Sequence, residues 1–148
     1  VRDKDGVDGA YMICEMFSYY ATQGISLLDR LDELYKTYGY CLNTLHSYEF
    51  DGSAGFARMQ SIMQAFRGGI KEFGGKKVVR LLDYVQGLDG LPKSDVLKFL
   101  LEDNCSLVVR PSGTEPKLKI YISVSAENKE MAEKVEDEIA KTAEKWIC

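Results

Sequence analysis

From residue 117 to residue 125 the chain alternates strictly. Leu118, Ile120, Ile122 and Val124 fall on one side, and Lys117, Lys119, Tyr121 and Ser123 on the other. Only an extended strand with one covered face uses that period, because successive side chains of a strand point to opposite faces. The rest of the chain must therefore supply neighbouring strands and an apolar cover for one side of a sheet. Residues 76–85 and 106–110 read as further strands. Residues 95–101 suit either a short helix or a buried strand, and the short Glu102-Asp103-Asn104 connection favours a hairpin with 106–110. The cover comes from two amphipathic segments. One is capped by Ser53 and carries Phe56, Met59, Ile62, Met63 and Phe66. The other closes the chain with Met131, Val135, Ile139, Thr142 and Trp146. Gly68-Gly69 ends the first of these helices, and at Gly74-Gly75 the period changes from that of a helix to that of a strand. These elements predict an α+β domain over 53–148, with a four-stranded, mainly antiparallel sheet and two covering helices.

The first forty residues have a different character. Residues 8–23 predict a helix with Tyr11, Met12, Met16, Tyr19 and Tyr20 on its apolar face, stopped by Gly24. Ser26 caps a second helix, with Asp29 at the capping-box position and Leu27, Leu28, Leu31, Leu34 and Tyr38 leading to Gly39. Two such helices with no strand beside them leave their apolar faces uncovered. They are expected to be the helical remnant, 1–40, of an α/β domain whose sheet lies upstream. Val1, without a preceding Met, fits a piece of a longer protein. Residues 41–52 are expected to be a linker, with His46 a surface or interdomain residue without an acidic partner.

With 148 residues, 45% of them hydrophobic, the chain has the make-up of a globular protein. Its net charge of −4 speaks against a general nucleic-acid binder, which needs excess Lys and Arg. No apolar run is long enough to span a bilayer. Cys14, Cys41, Cys105 and Cys148 form no CxxC pair, and with a single His46 no zinc pattern exists; reduced thiols in a cytoplasmic protein are expected.

The chemistry concentrates in Arg110-Pro111-Ser112-Gly113-Thr114-Glu115-Pro116, between two strands. Arg110 offers a planar, permanently charged fork that matches phosphate. Pro111 restricts the turn, Ser112 and Thr114 supply hydroxyl donors, and Gly113 allows close approach of the backbone to an anion. Lys117 and Lys119 share a face of the outgoing strand, so one of them can add a second positive charge. An isolated Ser-Gly-Thr would be read as a plain turn. The complete string, with Arg before it and lysines after it, favours an anion site.

Arg110-Pro111-Ser112-Gly113-Thr114-Glu115-Pro116-Lys117-Leu118-Lys119-Ile120-Tyr121 resembles the C-terminal phosphate-binding loop of the α-D-phosphohexomutases, the phosphoglucomutase and phosphomannomutase superfamily. Leu91-Pro92-Lys93-Ser94-Asp95-Val96-Leu97-Lys98 is similar to the phosphoglucomutase branch ahead of its loop, and Val1-Arg2-Asp3-Lys4-Asp5-Gly6-Val7 to the end of that family's sugar-binding region. The resemblance implies a TATA-binding-protein-like C-terminal domain within a four-domain enzyme that moves a phosphate between C1 and C6 of a hexose phosphate. It also implies Mg2+ bound outside this chain and a glucose 1,6-bisphosphate-type intermediate. By the same resemblance Arg110, Ser112, Gly113 and Thr114 hold the substrate phosphate that is not reacting, with Lys119 assisting and Lys4 reaching the substrate from the third domain. The phosphoserine, magnesium and sugar-recognition motifs have no counterpart here, so the chain is expected to be inactive alone. Its partners would be a hexose phosphate and the upstream domains, with no nucleic acid or membrane. A non-catalytic phosphate- or partner-binding α+β module is the alternative.

Other signals carry less. Asp3-Lys4-Asp5-Gly6 places Gly too early for a calcium loop. Gly74-Gly75-Lys76-Lys77 lacks both the upstream Gly and the Ser or Thr of a P-loop. Tyr11, Tyr19 and Tyr20 read as core of a missing domain.

Overall fold

The computed structural model describes residues 4–113 and 115–147. The chain divides between Gly39 and Tyr40 into two units.

In the first unit, helix α1 (Gly6–Ala21) starts under Asp5, whose carboxylate accepts the N–H groups of Val7 and Asp8 at 3.0 Å each. Helix α2 (Leu27–Tyr38) carries the expected capping box: Ser26 Oγ accepts from Asp29 N, and Asp29 Oδ2 from Ser26 N, each at 3.1 Å. Gly39 follows at φ 87°, a conformation that suits a glycine. Neither helix holds a buried residue. Tyr11, Met12, Ile13, Met16, Phe17, Leu28 and Leu34 are exposed.

The second unit is a six-stranded sheet in the order β1-β6-β5-β4-β3-β2, every neighbouring pair antiparallel. Its strands are β1 (Tyr40–Glu49), β2 (Glu72–Phe73), β3 (Lys76–Asp83), β4 (Leu97–Leu101), β5 (Ser106–Pro111) and β6 (Lys117–Ala126). The expected sheet of four strands is thus short by two. Residues 41–52, expected as a linker, are mostly β1, which pairs with β6 along its whole length from Tyr40↔Ala126 to Glu49↔Lys117. The inward face of β1 is Tyr40, Leu42, Thr44, His46 and Tyr48, a mixed row whose polar members hide that one face is covered, so its extended character alone reads as a connection. β2 spans only two residues, below any periodicity. The ambiguous segment is strand β4, in a hairpin with β5 as expected.

Helices α3 (Gly52–Arg67) and α4 (Lys129–Glu144) cover one face. Leu118, Ile120, Ile122 and Val124 are all buried there, with Leu107, Val109, Leu97 and Phe99 from the adjoining strands. Phe66, Phe73 and Phe99 form an aromatic knot, Phe73 and Phe99 edge-to-face with centroids 5.1 Å apart. Three residues of the expected stripes lie outside the core. In α4 the buried positions are Ala132, Ile139, Ala140 and Ala143, whereas Met131, and Trp146 just beyond the helix, are exposed; small alanines let the helix lie close to the sheet. In α3, Met59, Ile62, Met63 and Phe66 are buried but Phe56 is exposed, and Asp51 rather than Ser53 stands at the N-cap.

His46 does have an acidic partner. Its Nε2 lies 2.7 Å from Glu136 Oε1 on α4, and Thr44 Oγ1 donates to the same oxygen at 2.6 Å, tying the edge strand to the helix. The missing partner was 90 residues away in sequence, beyond any local pattern. Cys14, Cys41 and Cys105 carry free thiols; Cys148 lies outside the described residues. Among the described residues no helix is long and apolar enough to cross a membrane.

Candidate functional site

Strands β5 and β6 position the loop. Their register sets Arg110 directly opposite Lys119 and Pro111 opposite Leu118. Leu118 and Ile120 point into the helix-covered core, so Lys119, and Arg110 with it, belong to the other face. Arg110 is exposed and Lys119 half-buried, and among the described residues neither has a carboxylate partner. Like charges directly opposite weaken a ladder, with side chains about 5 Å apart at Cβ.

The hairpin is closed by Ser112 N donating to Lys117 O at 2.7 Å and by Lys117 N donating to Glu115 O at 2.7 Å. Ser112's own N–H is therefore committed to the turn, leaving its hydroxyl for other partners. The Gly113 N–H has no acceptor among the described residues. A Cβ built on Gly113 would meet nothing within 4 Å, and its φ lies outside the left-handed region. Neither packing nor backbone geometry therefore requires glycine there. Thr114 lies outside the described residues.

The two loop lysines differ. Lys117 Nζ sits 3.1 Å from Glu49 and 3.4 Å from Glu115, and hydrogen bonds first to Glu49 and then to Glu115 hold it above its ordinary range. It is engaged within the protein, whereas Lys119 is open. Lys4 belongs to the first unit, exposed ahead of the α1 cap.

A cavity of about 370 Å³ opens beside the loop, lined by Arg110, Pro111, Ser112 and Gly113, by Phe56, Met59 and Gln60 of α3, and by Ser94 and Asp95. A second, of about 380 Å³, shares Phe56, Ser112 and Gly113. Phe56 was read as core; its exposure is explained by its place between these hollows. Nothing in the local sequence joins Gln60 of α3 or Asp95 of the β3–β4 connection to the loop. Asp95 is held by Arg67, whose Nη2 donates to it at 2.5 Å while Nε donates to Asp83 at 2.9 Å. The Asp83 hydrogen bond is the largest effect raising Arg67. Burial is the largest single effect on Asp83 and pushes it up, but the Arg67 and Val85 N–H bonds and the Arg67 charge together outweigh it, so Asp83 titrates below the ordinary carboxylate range.

Comparison with known proteins meets this geometry. Residues 51–142 match the family model described as phosphoglucomutase/phosphomannomutase, C-terminal domain. The chain is 37% identical over 140 residues to a phosphoglucomutase of Staphylococcus aureus strain MSSA476, covering 86% of this chain and 25% of that protein. To a phosphoglucomutase of Staphylococcus saprophyticus it is 31% identical over 139 residues, with the same coverage of 86% and 25%. It thus spans about a quarter of the length of the curated relatives it matches. Among solved structures it is similar in fold to the open form of pp63/parafusin from Paramecium, an exocytosis-sensitive phosphoprotein also titled a phosphoglucomutase, with TM-score 0.60 and 19% identity, covering 99% of this chain and 27% of that one.

Proposed function

Since the chain belongs to the phosphoglucomutase/phosphomannomutase family through that C-terminal domain, we propose that its β5–β6 loop anchors the non-reacting phosphate of a hexose phosphate. The whole enzyme then interconverts hexose 1-phosphates and hexose 6-phosphates. The observation that carries the reading is the cross-strand pair Arg110↔Lys119: two cations face each other with no carboxylate partner among the described residues, at the root of a hairpin beside a cavity. A phosphate dianion relieves that repulsion and takes a bidentate bond from the guanidinium. The Ser112 hydroxyl, the Gly113 N–H and Thr114 supply further donors, and Lys119 the second charge. Residues 1–40 are the end of the preceding, sugar-binding domain, from which Lys4 reaches the substrate.

An anchor of this kind binds ground state and transition state almost equally, so by itself it lowers no barrier. Within the whole enzyme it holds the reacting oxygen near the phosphoryl donor, a gain in effective molarity. Turning a bisphosphorylated sugar between half-reactions requires a site that recognises phosphate rather than one sugar face, and a loop of backbone and hydroxyl donors around an arginine does that. Magnesium in the intact enzyme would supply charge neutralisation at the transferring phosphoryl group. Among the described residues no group of three His, Cys, Asp or Glu side chains could hold a metal ion. The described residues of this chain do not fit that role.

The test is a coupled assay of glucose 1-phosphate conversion to glucose 6-phosphate by the full-length protein, with magnesium and the bisphosphate supplied. Arg110→Ala should lower kcat/KM at least about tenfold, given about 1.5–3 kcal/mol for a charge-assisted bond. The 148-residue chain alone should show no turnover. Turnover by the isolated chain, or an unaffected Arg110→Ala enzyme, would overturn the reading.

A further inference from the structure

The cavity beside the loop contains a carboxylate, which is unexpected in a site for a dianion. Asp95 lines it together with Arg110, Ser112 and Gly113. The register explains the proximity: Asp83 pairs with Leu97, Leu97 with Val109, and Val109 with Ile120, so β3 ends, β4 begins and β5 enters its loop at one end of the sheet. Arg67, in the last turn of α3, reaches the same end and bonds both Asp83 and Asp95. Its side chain is only 18% exposed, against 30% for Asp83 and 32% for Asp95. It is thus the inner member of the cluster and its one positive charge.

We propose that Arg67 is a positioning residue for the anion site, clamping Asp95 in the cavity wall and cancelling a charge that would otherwise repel the phosphate bound by Arg110. The proposal rests on the reading of the loop given above. Three of its elements are independent of that reading: the clamp joins α3, β3 and the entry to β4; it is mostly shielded from water; and one of its carboxylates faces the cavity. A planar fork with donors to two acids does what a lysine's point charge cannot. Removing it leaves two uncompensated carboxylates, one beside the bound dianion, and repulsion across a partly shielded distance of several ångströms is worth about tenfold in affinity.

The experiment is a titration of the 148-residue chain with sulfate, a dianion across the working pH range, at fixed ionic strength and followed by amide shifts. Thermal melting of each variant is recorded alongside. Arg67→Met should weaken sulfate binding about tenfold, Arg67→Lys less, and the double variant Arg67→Met/Asp95→Asn should recover most of the loss without recovering the melting temperature. A purely structural arginine would give no such rescue. Asp95→Asn alone should bind sulfate about two- to threefold more tightly, and it decides the matter if Arg67→Met does not fold. Unchanged affinity in Arg67→Met, no rescue in the double variant, or unchanged or weaker binding by Asp95→Asn would overturn the proposal. Arg110→Ala separates the two ideas: if it binds sulfate as the wild type does, the loop reading itself fails. If it abolishes binding while the Arg67 series is flat, only the clamp fails.

Discussion

Gly113 separates a reason of folding from a reason of binding. In the protein as it stands, glycine at this position does nothing for the fold: its φ is not in the left-handed region, and an added Cβ would meet nothing within 4 Å. Gly113→Ala should therefore not destabilise the second unit. By narrowing the unfolded ensemble it should stabilise it by about 0.4–1 kcal/mol, which for a domain of this size raises the melting temperature by a few degrees. The same methyl would occupy the open space beside the Gly113 N–H, which has no acceptor among the described residues and where the phosphate is proposed to sit. Loss of one charge-assisted hydrogen bond costs about 1.5 kcal/mol or more, so phosphate or sulfate affinity should fall at least about tenfold. Calorimetric melting and an amide-shift titration on the same two samples give both numbers. Lower stability would mean that the backbone needs glycine after all. Unchanged affinity would mean that the anion does not approach the loop at Gly113, and either result refutes the reasoning.

Gly74→Ala should behave in the opposite way, because a Cβ there would stand 2.6 Å from the backbone of Glu138 and Ile139 at a φ of 55°; we expect a loss of about 2 kcal/mol or more by thermal melting. The depressed Asp83 titration makes a contribution to stability that is complete above the ordinary carboxylate value of about 3.9 and is lost as pH falls through the lower folded value. Melting curves of wild type and Asp83→Asn should accordingly be furthest apart near neutrality and converge below about pH 4. Limited proteolysis should remove residues 4–39 first and leave the second unit intact, since no residue of α1 or α2 is buried; uniform resistance along the chain would contradict this.

What the sequence made legible follows from how far each interaction reaches. β6 could be read because its two faces differ sharply in polarity, and the α2 capping box because it closes within four residues of chain. Arg110, Ser112 and Gly113 stand out as a candidate site because they are contiguous. The place of β1 in the sheet was hidden, because its inward face carries Thr44 and His46, whose polar groups are satisfied by Glu136 from the far end of the chain. That Phe56 and Asp95 line the cavity was hidden for a related reason. They come from α3 and from the entry to β4, and only the strand register brings them to the cavity. Helix α4 misled through size: its buried face rests on alanines, which a search for large apolar residues passes over.

The most direct measurement of the central claim is an amide-shift titration of the labelled 148-residue chain with inorganic phosphate, in wild type and Arg110→Ala. The account predicts saturable shifts confined to the residues around 110–119 and the neighbouring cavity wall, with a Kd near about 1 mM. It predicts at least about a tenfold weakening in the variant. Shifts at the loop that are equal in both proteins, or saturable shifts elsewhere with none at the loop, would contradict it.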